Sequence, residues 1–100
     1  AYWIYDVPGG EVRGAHAYRT LEEVVIAISG SFEVVVDDGR EQRTTSLNRS
    51  YVGLYVPPML WRQLRSFSTN AVALVLSSQA YDPGDYVRDH VEFLRLRGVR

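Results

Sequence analysis

Among the ionisable side chains of this sequence, only His16 and His90 change charge near neutral pH without help from their surroundings. His16 stands in Arg13-Gly14-Ala15-His16-Ala17-Tyr18, followed by Glu23 and then Gly30. In an extended strand, side chains two apart point the same way, so His16 and Tyr18 share a face. An imidazole can take and return a proton at pH 7. Arginine and tyrosine can donate hydrogen bonds to an oxygen that gains charge in a reaction. Tyrosine, with an ordinary pKa of about 10, is a poor base there, and arginine stays protonated. His90 falls in a C-terminal helical stretch near its charged end and reads as structural. With no cysteine, thiolate metal sites, disulfides and cysteine nucleophiles are excluded. All 11 basic residues are Arg, so Schiff-base chemistry on lysine is excluded as well. Planar, permanently charged arginines suit phosphate and carboxylate recognition, although a GC-rich genome gives the same composition.

Short strands must position these groups. Tyr2–Val7 is aromatic and β-branched and stops at Pro8-Gly9-Gly10; Val12–Tyr18 follows. Glu23–Ser29 is apolar on both faces, as expected of a strand covered on both sides. Phe32–Val36 and Gln42–Leu47 flank Asp37-Asp38-Gly39, whose Asp-Gly step supplies a positive φ for a hairpin. Tyr51–Val56 is closed by Pro57-Pro58, and Leu60–Phe67 and Ala71–Leu76 complete the series. Val87, Val91 and Leu94 then recur at helical spacing, which predicts a helix over about 84–96, with Asp82 and Asp85 as caps. Seven or eight antiparallel strands and one helix indicate a sandwich or barrel. One hundred residues are expected to form one domain over 1–100, with a radius of about 13 Å. A net charge of -1 removes the electrostatic warrant for binding nucleic acid or an anionic membrane. No apolar run is long enough to span a bilayer and no signal peptide is evident, so the default expectation is the cytoplasm.

The spacing of His16, Tyr18, Glu23 and Gly30 resembles the first cupin motif, in which a His-x-His pair is followed by Glu and then Gly. Gly53, Pro57 and Arg62 occupy the positions of the second motif, a Gly, a Pro-rich turn and a third His. The resemblance implies an all-β double-stranded β-helix, the jelly-roll barrel, with a short C-terminal helix. Cupins usually hold a metal on three His and one Glu. Here Tyr18 and Arg62 stand where two imidazoles would be, and arginine repels a cation. Two remaining ligands are too few for a dedicated transition-metal site, so a metal-free pocket without a cofactor is expected.

A longer set of motifs resembles the WxcM-like, FdtA-type sugar 3,4-ketoisomerases. It comprises Tyr2-Trp3-Ile4-Tyr5-Asp6-Val7, Arg13-Gly14-x-His16-Ala17, Gly30-Ser31, Asp37-Asp38-Gly39, Gly53-Leu54-Tyr55, Pro58-x-x-Trp61 and Tyr81-Asp82-x-x-Asp85-Tyr86-Val87-Arg88. These metal-independent cupins act on dTDP-4-keto-6-deoxyhexoses, moving a keto group from C4 to C3 on the way to amino sugars of bacterial surface glycans such as O-antigen. The resemblance implies a nucleotide-linked sugar as partner, a homodimer, His16 as base, and Arg13, Tyr18 and Tyr2 in the pocket. Arg62 falls at a pocket position that varies in the family. Within such a pocket Arg13 and Arg62 stay protonated and Tyr18 is too weak a base, which leaves His16. Glu23 is expected beside a pocket arginine; Arg62 either contacts substrate or pairs with Glu23. Trp61 is read as a core plug. Where the family pattern reads Arg-Gly-x-His-Ala-His, this chain has Tyr18, as a second acid or as a space-filling ring. Family members carry about one to two strands ahead of the Tyr2 strand; their absence here is read as a natural short form, a mobile or decayed gene, or an expressed fragment, with a sheet edge left open. A non-catalytic binder of a sugar nucleotide or small carbohydrate, or an interaction module with a closed pocket, is the alternative.

Overall fold

The computed structural model describes residues 1–98. Its chain order is β1 (Tyr2–Tyr5), β2 (Arg13–Tyr18), β3 (Glu23–Ser29), β4 (Phe32–Asp37), β5 (Gln42–Leu47), β6 (Gly53–Val56), β7 (Trp61–Arg65), β8 (Val72–Ser77), a 3₁₀ turn (Pro83–Asp85), β9 (Tyr86–Val87) and α1 (His90–Leu96). The pairing follows one rule. β1 lies beside β8, β2 beside β7, β3 beside β6 and β4 beside β5, all antiparallel. This is a long ribbon rolled up on itself, the jelly roll that the cupin resemblance implies. Two sheets result, in the orders β1-β8-β3-β6 and β5-β4-β7-β2-β9. The radius of gyration, 13.2 Å, is that expected for the length.

Side chains alternate across each strand, which builds the core between the sheets. Val25 and Ala27 of β3, Phe32 and Val34 of β4, Leu64 of β7 and Ala73 and Val75 of β8 are all buried there. The opposite face of the four-stranded sheet is also apolar. Trp3 pairs with Leu74 in β8, which in turn pairs with Ile26 in β3, and Tyr55 of β6 stands opposite Val24. Trp3, Tyr5 and Tyr55 are each more than half exposed. The two-sided apolar character of β3 is thus real, but within this chain only one of its faces is covered.

The hairpin between β4 and β5 forms where Asp-Gly predicts it. Asp37 accepts from the Gly39 amide at 2.7 Å, Asp38 accepts from the Arg40 amide at 2.8 Å, and Gly39 has φ +99°. The first strand ends earlier than expected, because Asp6 takes a left-handed φ of +53° and turns the chain away.

The C-terminal helix is shorter than the sequence predicts. Residues 83–85 form a 3₁₀ turn and Tyr86–Val87 pairs with β2, Ala17 opposite Val87 and Tyr18 opposite Tyr86. Only His90–Leu96 is α-helical. The helical stripe Val87, Val91, Leu94 misleads: Val87 is buried as a strand residue and Val91 is 73% exposed. Phe93 anchors the helix instead, packed with Ala17, Trp61 and Val87 in a second core on the outer side of β2. Trp61 is a core residue, as expected. Asp89 caps the helix by accepting from the Val91 amide. Asp82 caps the 3₁₀ turn, whereas Asp85 caps nothing there: its buried carboxylate accepts from the Thr20 amide, the Thr20 hydroxyl and the Leu21 amide. That carboxylate clamps the turn between β2 and β3 and so fixes β9 beside β2.

Candidate active site

β2 carries the centre of the site. Its pairing with β7 shifts register between Arg13 and His16, where Gly14 adopts φ +63°. The bulge adds one residue, so Arg13 and His16, three apart, both reach one cavity, together with Tyr18. Gly14 is required twice over. Its φ favours glycine, and a Cβ there would collide with the Arg62 guanidinium.

The cavity has a volume of about 590 Å³. Tyr2 and Ile4 of β1 form one wall, and Arg13, His16 and Tyr18 form another. Ser77, Gln79 and Tyr81 from the end of β8 and beyond, with Tyr86 of β9, complete it. Ser77, Gln79, Tyr81 and Tyr86 were not picked out as site residues from the sequence. The signal for two of them was present, because Tyr81 and Tyr86 belong to the last of the recurring motifs.

His16 is buried between two tyrosines, its ring 4.7 Å from Tyr18 and 4.9 Å from Tyr86, centre to centre. Its Nε2 is enclosed and has no hydrogen-bond partner within the protein. Burial, then the positive charges of Arg62 and Arg88, lower its pKa to about 3. The imidazole is therefore neutral at physiological pH, and the sequence expectation of an unperturbed near-neutral histidine is corrected. The Tyr18 hydroxyl donates to the Tyr86 hydroxyl at 3.2 Å. Burial and this hydrogen bond push Tyr18 well above its ordinary range, so it stays a neutral phenol. The Arg88 guanidinium lies over the Tyr86 ring, 4.1 Å from its centre.

Arg62 and Glu23 lie beneath this layer. As substrate-binding residues both are displaced: the structure encloses both side chains completely and neither lines the cavity, while the expected pairing of Glu23 with a pocket arginine is present. Arg62 Nε donates to Glu23 Oε1 at 2.5 Å and Nη2 donates to Oε2 at 3.2 Å. Nη1 donates to the Gly14 carbonyl at 2.9 Å and Nη2 to the Tyr2 hydroxyl at 2.7 Å. Burial opposes the charge, but the hydrogen bonds and charge of Glu23 outweigh it and hold the guanidinium protonated. Of the two alternatives left open by the sequence, Arg62 takes the pairing with Glu23. It also supports the bulge and orients Tyr2. Arg13 pairs with Glu11 at 2.5 Å at the partly exposed rim. His90 is structural, as expected: its Nε2 stands 2.9 Å from Asp37 and its ring meets Trp61 edge-on.

These groups can transfer a proton and stabilise a developing oxyanion. Among the described residues, no group of three or more His, Cys, Asp or Glu is placed to hold a metal ion. No helix among them is long and apolar enough to cross a membrane.

Comparison with known proteins agrees with this geometry. The chain is 41% identical over 92 residues to the TDP-4-oxo-6-deoxy-alpha-D-glucose-3,4-oxoisomerase of Aneurinibacillus thermoaerophilus, covering 92% of this chain and 66% of that enzyme. A 3,4-ketoisomerase from Helicobacter canadensis superposes with a TM-score of 0.94 at 44% identity, over 97% of this chain and 73% of that one. A mutant of the 3,4-ketoisomerase QdtA from Thermoanaerobacterium thermosaccharolyticum, solved in complex with TDP-4-keto-6-deoxyglucose, superposes with a TM-score of 0.94 at 32% identity, over 96% of this chain and 70% of that one. The family model described as "WxcM-like, C-terminal" matches residues 1–98. The chain belongs to the WxcM-like, C-terminal family, whose FdtA-type members the sequence motifs resemble.

Proposed function

We propose that this chain is a metal-independent 3,4-ketoisomerase of a dTDP-linked 4-keto-6-deoxyhexose, serving surface-glycan sugar biosynthesis in the cytoplasm as a homodimer. The observation that supports it most is a neutral imidazole, His16, with an enclosed and unpartnered Nε2, on the wall of a cavity of about 590 Å³. The substrate class is that of the relatives named above.

The reaction moves a carbonyl by one carbon. A base removes the hydrogen on C3, an enediolate forms, and the hydrogen returns at C4. His16 is the base, because it is the group in the cavity that is unprotonated and able to accept. Its low pKa makes it a weak base in the empty pocket, and two effects offset this when substrate binds. The anionic diphosphate screens the nearby arginine charges, and the enediolate places a negative charge beside the newly formed imidazolium. Tyr18 donates a hydrogen bond to the developing oxyanion. Arg13, at the rim, meets the anionic end of the substrate. Tyr2, held by Arg62, contacts the sugar; Glu23 and Arg62 act on substrate only through it. A metal ion has no role here. Glu23, the carboxylate at a metal-ligand position, is taken up by Arg62, and Arg62 itself is a fixed cation.

The low pKa of His16 is also the observation that favours the alternative, a sugar-nucleotide binder without turnover. One experiment separates the two. Incubation with dTDP-4-keto-6-deoxyglucose in deuterated water should yield a 3-keto product labelled at C4. Binding without exchange or product would support the binder and refute the isomerase.

A further inference from the structure

On the basis of the ketoisomerase function just proposed, we propose that the Tyr18–Tyr86 hydroxyl pair relays the oxygen-bound proton of the reaction from O3 to O4, which makes Tyr86 a catalytic residue beside His16 and Tyr18. Moving a carbonyl from C4 to C3 shifts two hydrogens. One leaves C3 and arrives at C4. The other leaves O3 and arrives at O4. Once His16 is protonated it must deliver a proton to carbon, the one it took or one exchanged with solvent, so a different group has to serve the oxygens. The arginines cannot, because they do not release a proton.

The tyrosine pair has the required form. Both side chains line the same cavity and both rings flank His16, at 4.7 and 4.9 Å. Their hydroxyls are 3.2 Å apart. Tyr18 and Tyr86 stand directly opposite each other on β2 and β9, and the Asp85 clamp fixes that pairing. Arg88 over the Tyr86 ring restrains it further. A phenol can give one proton while accepting another, so a pair of them passes a proton along without any phenolate. Such a relay suits Tyr18, which burial keeps un-ionised.

The steps balance. The C3–H pair becomes the C3=C4 bond as His16 takes the proton, and the C4=O π pair moves onto O4. One hydroxyl of the tyrosine pair gives its proton to O4 and takes the proton of its partner. The partner is refilled from the O3 hydroxyl. The O3 lone pair then forms the C3 carbonyl, and the C3=C4 pair takes the His16 proton at C4. Both phenols and the imidazole return to their starting states, and no oxidant or reductant is needed.

The test uses purified protein, dTDP-4-keto-6-deoxyglucose and deuterated water, with two readouts: deuterium at C3 of recovered substrate, and the 3-keto product. Tyr86→Phe keeps the ring and removes the hydroxyl. Product formation should fall about a hundredfold. Exchange at C3, which needs His16 and one remaining hydroxyl donor to O4 but no transfer from O3 to O4, should fall far less, so the exchange-to-product ratio rises at least tenfold. Tyr18→Phe should give the same signature, and the double variant should be no slower than the slower single one, because the pair acts as a unit. A packing role would lower both readouts together and leave the ratio unchanged. An unchanged ratio in both single variants, with wild type active, overturns the relay alone. A wild type that neither exchanges nor isomerises overturns the ketoisomerase function, and the relay with it.

Discussion

His16 is a histidine whose surroundings suppress its charge, and that has consequences for both stability and chemistry. Its folded pKa, about 3, lies below the ordinary 6.5. The unfolded chain therefore binds a proton that the folded chain refuses. The sign follows directly: no penalty exists above pH 6.5, and stability is lost as pH falls from there toward 3. Proton-carbon NMR of the folded protein should show one histidine that does not titrate between pH 8 and 5; a midpoint near 6.5 for His16 would contradict the burial argument. Between pH 7 and 4, His16→Asn should lose less stability than wild type in thermal unfolding. The Glu23–Arg62 pair gives a second residue-scale prediction. Glu23→Gln strands an enclosed guanidinium, which should cost about 3–5 kcal/mol in chemical denaturation. A loss below about 1 kcal/mol would mean that the pair is solvated. The shared face of His16 and Tyr18 was legible from strand alternation, and the Glu23–Arg62 pairing was one of two alternatives. The depressed pKa was not legible, because it depends on enclosure, with Tyr86 against the ring, and on the charges of Arg62 and Arg88, all brought to His16 from far along the chain.

At the scale of elements, the β2 bulge and β9 decide which side chains meet. Gly14→Ala would force a β-carbon into left-handed backbone and into the Arg62 guanidinium. Strain of about 1–2 kcal/mol and overpacking of about 1–3 kcal/mol are expected together. Because Arg62 also holds Tyr2 and Glu23, activity should fall by more than the stability loss explains. An Ala variant with wild-type stability and turnover would show that the bulge positions nothing. Most strands could be read from β-branched runs and turn residues, and the Asp37-Asp38-Gly39 hairpin from its Asp-Gly step. The bulge was not legible as a bulge: Arg13-Gly14 was recognised as a motif, but the positive φ of Gly14 and the register shift against β7 are visible only in the pairing of the two strands. The C-terminal segment was misread for a related reason. Val87, Val91 and Leu94 have helical spacing, yet Val87 is drawn into strand pairing by Ala17 and by the Asp85 clamp. Short-range periodicity lost to a tertiary contact there.

The whole molecule leaves one apolar sheet face uncovered. The four-stranded sheet covers its inner face with the second sheet and leaves Trp3, Tyr5 and Tyr55 on its outer face. Exposed apolar area of this kind marks an interface. A second copy of the chain meeting near β1 is the expected occupant, as the family resemblance implies. Sedimentation at tens of micromolar should give a dimer mass, and Trp3→Glu should shift it toward monomer; a monomeric wild type would contradict the expectation. The two-sided apolar character of β3 was visible in the sequence, but what covers the second face was not, since one sequence carries no partner.

Following dTDP-4-keto-6-deoxyglucose in deuterated water by NMR, with wild type and His16→Asn side by side, decides whether this pocket isomerises a 4-keto sugar with His16 as its base. Wild type should give a 3-keto product carrying deuterium at C4. A folded His16→Asn variant should lose about 10²–10⁴-fold or more in rate. Near-full activity in that variant would refute His16 as the base, and a wild type that binds the sugar nucleotide without exchange or product would refute the isomerase.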